Sequence, residues 1–354
     1  VNGTKRNRTT RRPRKTLLLF MALLLTALGA SALAVGNITA STASAEQGGS
    51  GRSGPEAARD ASDPGPDKDG DLIVENRTSL GNGHVETVYS RKPDGSPKVI
   101  GVAVSEAAAN SLPTTPRHDG NTCFDKNEDG KVDPNTECGG GHERVLWFPK
   151  LKGLPFKWMM FNWQSVGHGP EHVFDKPHFD VHYFMMDYEA RNAIRTGPCG
   201  AIFVNCADNE KAAKPVPAPY HPEGFGLPGA AGRMGNHIVD LSAAPANGGP
   251  FTQAFVYGTY DSHITFWENV LSTDWLKSTK PKRNCLTLKW APEVEISGSY
   301  PKKSCTSYRA KEKDYLMTFE DFAYRKAPAG AKTPNWTQPP ASTGTPAAGS
   351  GHGH

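Results

Sequence analysis

Four of the twelve histidines fall within fifteen residues, in the run Gly167-His168-Gly169-Pro170-Glu171-His172-Val173-Phe174-Asp175-Lys176-Pro177-His178-Phe179-Asp180-Val181-His182-Tyr183-Phe184. On a strand, side chains alternate between faces, so His178, Asp180 and His182 point one way and Phe179, Val181 and Tyr183 the other. Two imidazoles and a carboxylate, spaced about 7 Å between alternate residues, suit a metal site or a histidine–carboxylate network. His168 and Glu171 precede this strand on a Gly-Pro loop that can fold back onto the same face. Downstream, His237 follows a Pro/Gly-rich loop, and Glu268 shares a strand face with Ile264 and Phe266. A carboxylate among core residues is costly unless it meets a metal or another cation. Zn, Fe, Mn and Cu all accept imidazole with carboxylate, and nothing in the spacing chooses among them. In a catalytic centre the metal would polarise a substrate oxygen or acidify a bound water, with Glu171 or Asp180 as general base. Two other arrangements use the same residues: a hydrogen-bonded core network without metal, and a metal-free acid/base pair.

A second cation site is read in Asp125-Lys126-Asn127-Glu128-Asp129-Gly130-Lys131-Val132-Asp133. Oxygen donors at Asp125, Asn127, Asp129 and Asp133, the backbone carbonyl of Lys131 and a turn glycine follow the start of a calcium loop. The stretch resembles the EF-hand and dockerin type of loop. Position twelve is Thr136, with Glu137 one step later, so the closing bidentate ligand is displaced. Calcium here would be structural; a solvated acidic turn clipped by cysteines is the alternative. Asp67-Lys68-Asp69-Gly70-Asp71 is a weaker echo and is read as linker.

The six cysteines, Cys123, Cys138, Cys199, Cys206, Cys285 and Cys305, are even in number and lack the CxxC spacing of redox or zinc sites. They form three local couples, so disulfides 123–138, 199–206 and 285–305 are expected among the fifteen pairings available to six cysteines. No G-x-S-x-G elbow, P-loop, dinucleotide fingerprint or HExxH helix occurs, which removes the main support for serine hydrolase, NTPase, nicotinamide and zincin readings. Trp147, Trp158, Trp163, Trp267 and Trp275 could stack on sugars, but their strand positions favour core packing.

The elements that must hold these residues lie in the middle of the chain. Lys5, Arg6, Arg8, Arg11, Arg12, Arg14 and Lys15 precede the uncharged run Leu17 to Val35 and an Ala43-Ser44-Ala45 site, the pattern of a cleaved export signal over residues 1–45. An uncleaved membrane anchor is the alternative. Without those seven residues, 33 basic groups remain against 36 acidic, so the formal charge of +4 becomes −3 and nucleic-acid binding loses its electrostatic support. Residues 46–78 are rich in Gly, Ser, Pro, Asp and Glu and read as a disordered linker; residues 326–354 read as a disordered tail. The product expected is secreted and extracellular, without stable membrane insertion.

Between them, residues 79–325 read as one mainly β domain, a sandwich or barrel with long loops, a few short helices and disulfide bonds. Strands are expected over Gly83 to Ser90, Pro97 to Val104, Arg144 to Phe148, Phe156 to Asn162, Pro177 to Asp187, Phe251 to Tyr260, His263 to Leu271 and Leu286 to Glu295. Helical patterning is confined to Ser105 to Asn110, Asp187 to Arg195 and Glu320 to Lys326.

The combination Gly81-Asn82-Gly83-His84-Val85-Glu86-Thr87, Pro93-Asp94-Gly95-Ser96-Pro97 with Ile100-Gly101-Val102, Gly167-His168 with Glu171, Pro177 to Tyr183, and Phe255-Val256-Tyr257-Gly258-Thr259-Tyr260-Asp261 resembles an exported bacterial domain family of unknown function, the Thermus TTHB type, over residues 80–275. The resemblance implies β architecture and self-assembly into a homo-oligomer, and supplies no activity. Where that family reads Gly-His-Glu-Pro, this chain reads Gly167-His168-Gly169-Pro170-Glu171, which displaces the glutamate. The sequence therefore points to an exported β-rich protein with a transition-metal site of hydrolytic or oxidative activity. The alternative is a non-catalytic binding or self-assembling module stiffened by calcium and disulfides.

Overall fold

A computed structural model describes residues 72–115, 123, 125, 129–133, 137, 141–332, 334 and 336. The expected export signal, most of the linker, Asn127 and Cys138 lie outside the described residues. The first strands, β1 (Ile73–Leu80), β2 (Gly83–Arg91) and β3 (Pro97–Ser105), form an antiparallel meander ending in a short helix α1 (Glu106–Ala109), which Ser105 caps through its hydroxyl. The chain then builds another sheet from β4 (His142–Trp147), β5 (Trp158–Gln164) and β6 (His178–Phe184). After helices α2 (Tyr188–Asn192) and α3 (Cys206–Ala212), that sheet continues with β7 (Phe225–Ala231), β8 (Gly235–Asp240), β9 (Gln253–Tyr260) and β10 (His263–Ser272). Helix α4 (Thr273–Thr279) returns the chain to the first sheet, completed by β11 (Asn284–Thr287), β12 (Gly298–Arg309) and β13 (Asp314–Arg325).

The result is an open, sandwich-like pair of antiparallel sheets, ordered β1-β2-β3-β13-β12-β11 and β4-β5-β6-β10-β9-β8-β7. The first sheet is thus made from both ends of the described chain, joined where β13 pairs with β3. Between the sheets lies an aromatic core: Tyr183 of β6 sits 4.1 Å from Phe319 of β13, and Trp267 of β10 sits 5.4 Å from Tyr300 of β12. Because Phe179, Val181 and Tyr183 face that core, His178, Asp180 and His182 are turned to the opposite face of the second sheet. That face is also covered, since β5, β6 and nearly all of β9 and β10 are buried along their whole length. Its lid is the segment 165–177, whose Val173 and Phe174 pack on Val239, Ala254, Val256 and Val270, together with Arg191 of α2.

Cys199–Cys206 and Cys285–Cys305 are disulfides at bonding distance, as the local couples predict. Cys123 is also disulfide-bonded, and Cys138 lies outside the described residues. Several element expectations are corrected. Glu320 to Lys326 is no helix: Glu320 to Arg325 ends one long strand, Asp314–Arg325, and is held extended by its hairpin ladder to β12, with Phe322 buried. Only the start of Leu286 to Glu295 is strand: β11 ends at Thr287, and the Leu288 N–H donates to Lys302 O just beyond it. Strand β1 begins at Ile73, inside the expected linker, and Trp336, past the expected domain end, is buried beside His263. Trp158, Trp163 and Trp267 are core, whereas Trp147 is 44% exposed.

Candidate metal centre

The covered face of the second sheet gathers six histidines and carboxylates into two triads, His168 with His178 and Asp180, and His182 with His237 and Glu268. Period-2 alternation on β6 supplies three of the six. Cross-strand register supplies the next, because Glu268 on β10 stands opposite His182. His237 arrives from β8, directly beside Gly258 of β9, which in turn stands opposite Phe266. A Cβ at Gly258 would fall 2.1 Å from the Phe266 ring, so glycine is what lets that ring lie flat, 5.0 Å from His182 and 5.1 Å from His237. His168 comes from the lid segment, which Gly167 bends at φ +76° and a bridge to Phe174 closes.

In the first triad, His178 Nε2 lies 3.1 Å from His168 Nε2 and 3.1 Å from Asp180 Oδ1, and His168 Nε2 lies 3.3 Å from Asp180 Oδ2. In the second, His182 Nε2 is 3.3 Å from Glu268 Oε1 and His237 Nε2 is 3.8 Å from Glu268 Oε2. Four ligands held tetrahedrally at about 2.0–2.1 Å stand about 3.3 Å from one another, the spacing of the first triad and close to that of the second.

Every one of these rings turns its Nδ1 to a backbone carbonyl: His168 to Gly169 at 2.7 Å, His178 to Lys176 at 2.5 Å, His182 to Met160 at 3.4 Å and His237 to Gly229 at 3.1 Å. A carbonyl only accepts, so Nδ1 is the donor at each carbonyl, and Nε2 is left facing the carboxylate, where it holds either a proton or a metal ion. Lone pairs of two rings and a carboxylate then converge on one point, which is repulsive unless a proton or a metal ion occupies it. Histidine held by its other nitrogen in this way is the usual support of a metal ligand. Gln164 Nε2 donates to Asp180 Oδ2 at 2.9 Å, while Asp180 Oδ1 and Glu268 Oε2 are buried without a hydrogen-bond partner.

The electrostatics follow. Burial alone would raise the Asp180 carboxyl, but His178 and His168 outweigh it and hold it well below the usual carboxylate range. Burial pulls His168 down, yet its bond to Asp180 raises it overall. Burial pushes His182 down to about 3 and His237 down to about 4, so both rings are neutral near pH 7 and available as ligands. Burial, with the charge of Asp180, pushes Glu268 well above its ordinary value. A cation at the triad relieves that cost.

The sequence places most of these residues but not their grouping. His178 and His182 share a face as expected, yet they belong to different triads. Ile264 leaves the face of Phe266 and Glu268: the β9–β10 register shifts between Ile264 and Phe266, and Ile264 lines a cavity with Trp267 and Tyr300. Glu171 stands outside both triads, its side chain 86% exposed beside His172. Gln164 and the four carbonyl partners carry no local signal, since Gln164 reaches Asp180 only through the β5–β6 pairing. In the calcium-type loop, Asp125 accepts the N–H of Asp129 at 3.1 Å and of Gly130 at 2.7 Å, Gly130 has φ +81°, and Asp133 N donates to Glu137. Asp129 Oδ1 accepts from Lys131 N at 2.9 Å. Among the described residues, no helix is long and apolar enough to cross a membrane. Compared with family models, curated proteins and solved structures, the chain matches none.

Proposed function

We propose that this is an exported metalloprotein whose covered sheet face binds a transition metal through two-histidine, one-carboxylate donor sets, with hydrolytic or oxidative chemistry at the metal. The observation that carries it is the common ring orientation: all four imidazoles hold Nδ1 on a carbonyl and aim Nε2 at a buried carboxylate. Two histidines and one carboxylate leave a coordination position open, which is where a metal-bound water or substrate oxygen would sit.

A second reading is favoured by burial. Four of the six side chains are at most 3% exposed, and only His168 at 18% and His237 at 19% reach toward solvent. A metal so enclosed would staple the lid to the sheet in a non-catalytic binding module. Calcium at Asp125, Asn127, Asp129, Lys131 and Asp133 would stiffen the loop in either case.

Elemental analysis of the purified protein without a histidine tag tests both readings. Zn, Fe, Mn or Cu is expected in stoichiometric amount, and His178→Ala combined with His182→Ala should abolish it while the circular dichroism of the fold survives. Metal retained by the double variant, or none in the wild type, overturns the proposal. Loss of thermal stability in chelator with no exchangeable water at the metal selects the structural reading.

A further inference from the structure

We infer that the covered face holds two metal ions, one in each triad, as a neighbouring pair with unequal affinity. This rests on the metal-binding proposal and extends it from a donor set to a stoichiometry and an order of loading.

One ion cannot serve both groups. His178 and His182 are four positions apart on one strand, about 13 Å at the rise of a β-strand. Each ring is already committed to different neighbours: His178 to His168 and Asp180, His182 to Glu268, with His237 beside it. Each triad is complete, its donor atoms all within 4.8 Å of one another. Each also leaves one buried carboxylate oxygen unpartnered, Asp180 Oδ1 in the first and Glu268 Oε2 in the second. Two separate oxygens without a hydrogen-bond partner, one 3.1 Å from His178 Nε2 and the other 3.8 Å from His237 Nε2, call for two cations.

The pair is close enough to interact, and no residue belongs to both triads. Asp180 of the first triad and His182 of the second are neighbours on one strand face, their backbones about 7 Å apart. Like charges at that distance repel across a poorly solvated interior, so the second ion binds more weakly than the first. The first triad loads first: its contacts of 3.1–3.3 Å already match tetrahedral ligand spacing, whereas His237 must move in from 3.8 Å. The ligand class is a borderline divalent ion such as Zn²⁺ or Co²⁺.

The test is a titration of the chelator-stripped full chain with Co²⁺ followed by its visible bands, and with Zn²⁺ followed by elemental analysis. Excess calcium keeps the acidic loop out of the count, and His352→Ala with His354→Ala removes the tail. Two equivalents are expected, the second at least tenfold weaker. His178→Ala should keep only one equivalent, and so should His237→Ala, the latter retaining the tighter step. Should either variant fail to fold, Asp180→Asn and Glu268→Gln, which preserve shape, divide the sites in the same way, and the wild-type stoichiometry decides on its own. One equivalent in the wild type overturns the pair while leaving a metal site in place; no bound metal overturns both.

Discussion

Buried carboxylates in this protein come in two kinds, and the difference lies in who donates to them. Asp208 is satisfied: Arg195 donates to it from its backbone N–H at 3.0 Å and its Nε at 2.8 Å, and Tyr260 from its hydroxyl at 3.1 Å. Asp180 and Glu268 face imidazole Nε2 atoms instead, and each keeps an oxygen without a hydrogen-bond partner. The first kind is structural, the second is shaped for a cation. Burial alone would raise the Asp208 carboxyl, but the Arg195 and Tyr260 bonds win and hold it below its ordinary value of 3.8. Its folded pKa is therefore depressed, so its stabilisation is complete above pH 3.8 and disappears as pH falls through the folded value. Urea melts should show Asp208→Asn less stable at pH 7 by about 1–3 kcal/mol. The variant should also show a flatter acid limb below the ordinary carboxylate pKa than the wild type. Parallel acid limbs would mean that Asp208 is not the group titrating.

At the scale of elements, β6 places the donors and its neighbours select their partners. Gly258 on β9 is the narrowest point, since any side chain there drives Phe266 out of the gap beside His182 and His237. Gly258→Ala is expected to lower stability by about 1–3 kcal/mol through overpacking, and to weaken metal uptake at the second triad without touching the first. An alanine variant within about 0.5 kcal/mol of wild type would show that the ring has room to move. The acidic loop is a separate element with a separate test. Both oxygens of Asp125 accept loop N–H groups, an arrangement that serves a plain turn and a calcium loop alike. If calcium binds, Asp125→Ala lowers the melting temperature more in calcium than in chelator; an equal loss in both would identify an ordinary turn.

At the scale of the molecule, the sandwich closes only when the last strands return to the first. β13 gives β3 its second neighbour and carries Met317 and Phe319 into the core beneath Tyr183, whose opposite strand face bears the triads. A chain ending after Thr279 would leave β3 as a raw edge and uncover the aromatic layer behind β6. Such a truncation should show no cooperative thermal transition and no native near-ultraviolet signal; a sharp melt would mean that the second sheet folds by itself.

What the sequence determined by itself were properties that repeat at short range. Alternation placed His178, Asp180 and His182 on one face, local cysteine couples paired Cys199 with Cys206 and Cys285 with Cys305, and turn residues between β-rich runs led to a mainly β fold. Glu268 was legible because a carboxylate in an apolar strand must answer to something, and His168 because a Gly-Pro loop adjoins its strand. The division of the histidines into two triads was not legible. It depends on Glu268 standing opposite His182, on His237 arriving across β9, and on the lid bringing His168 to His178. Strand register and loop docking are settled by packing between residues far apart in the chain, and local spacing carries no record of them. Glu320 to Lys326 reads as helical in its local pattern, but the hairpin ladder to β12 holds Glu320 to Arg325 extended.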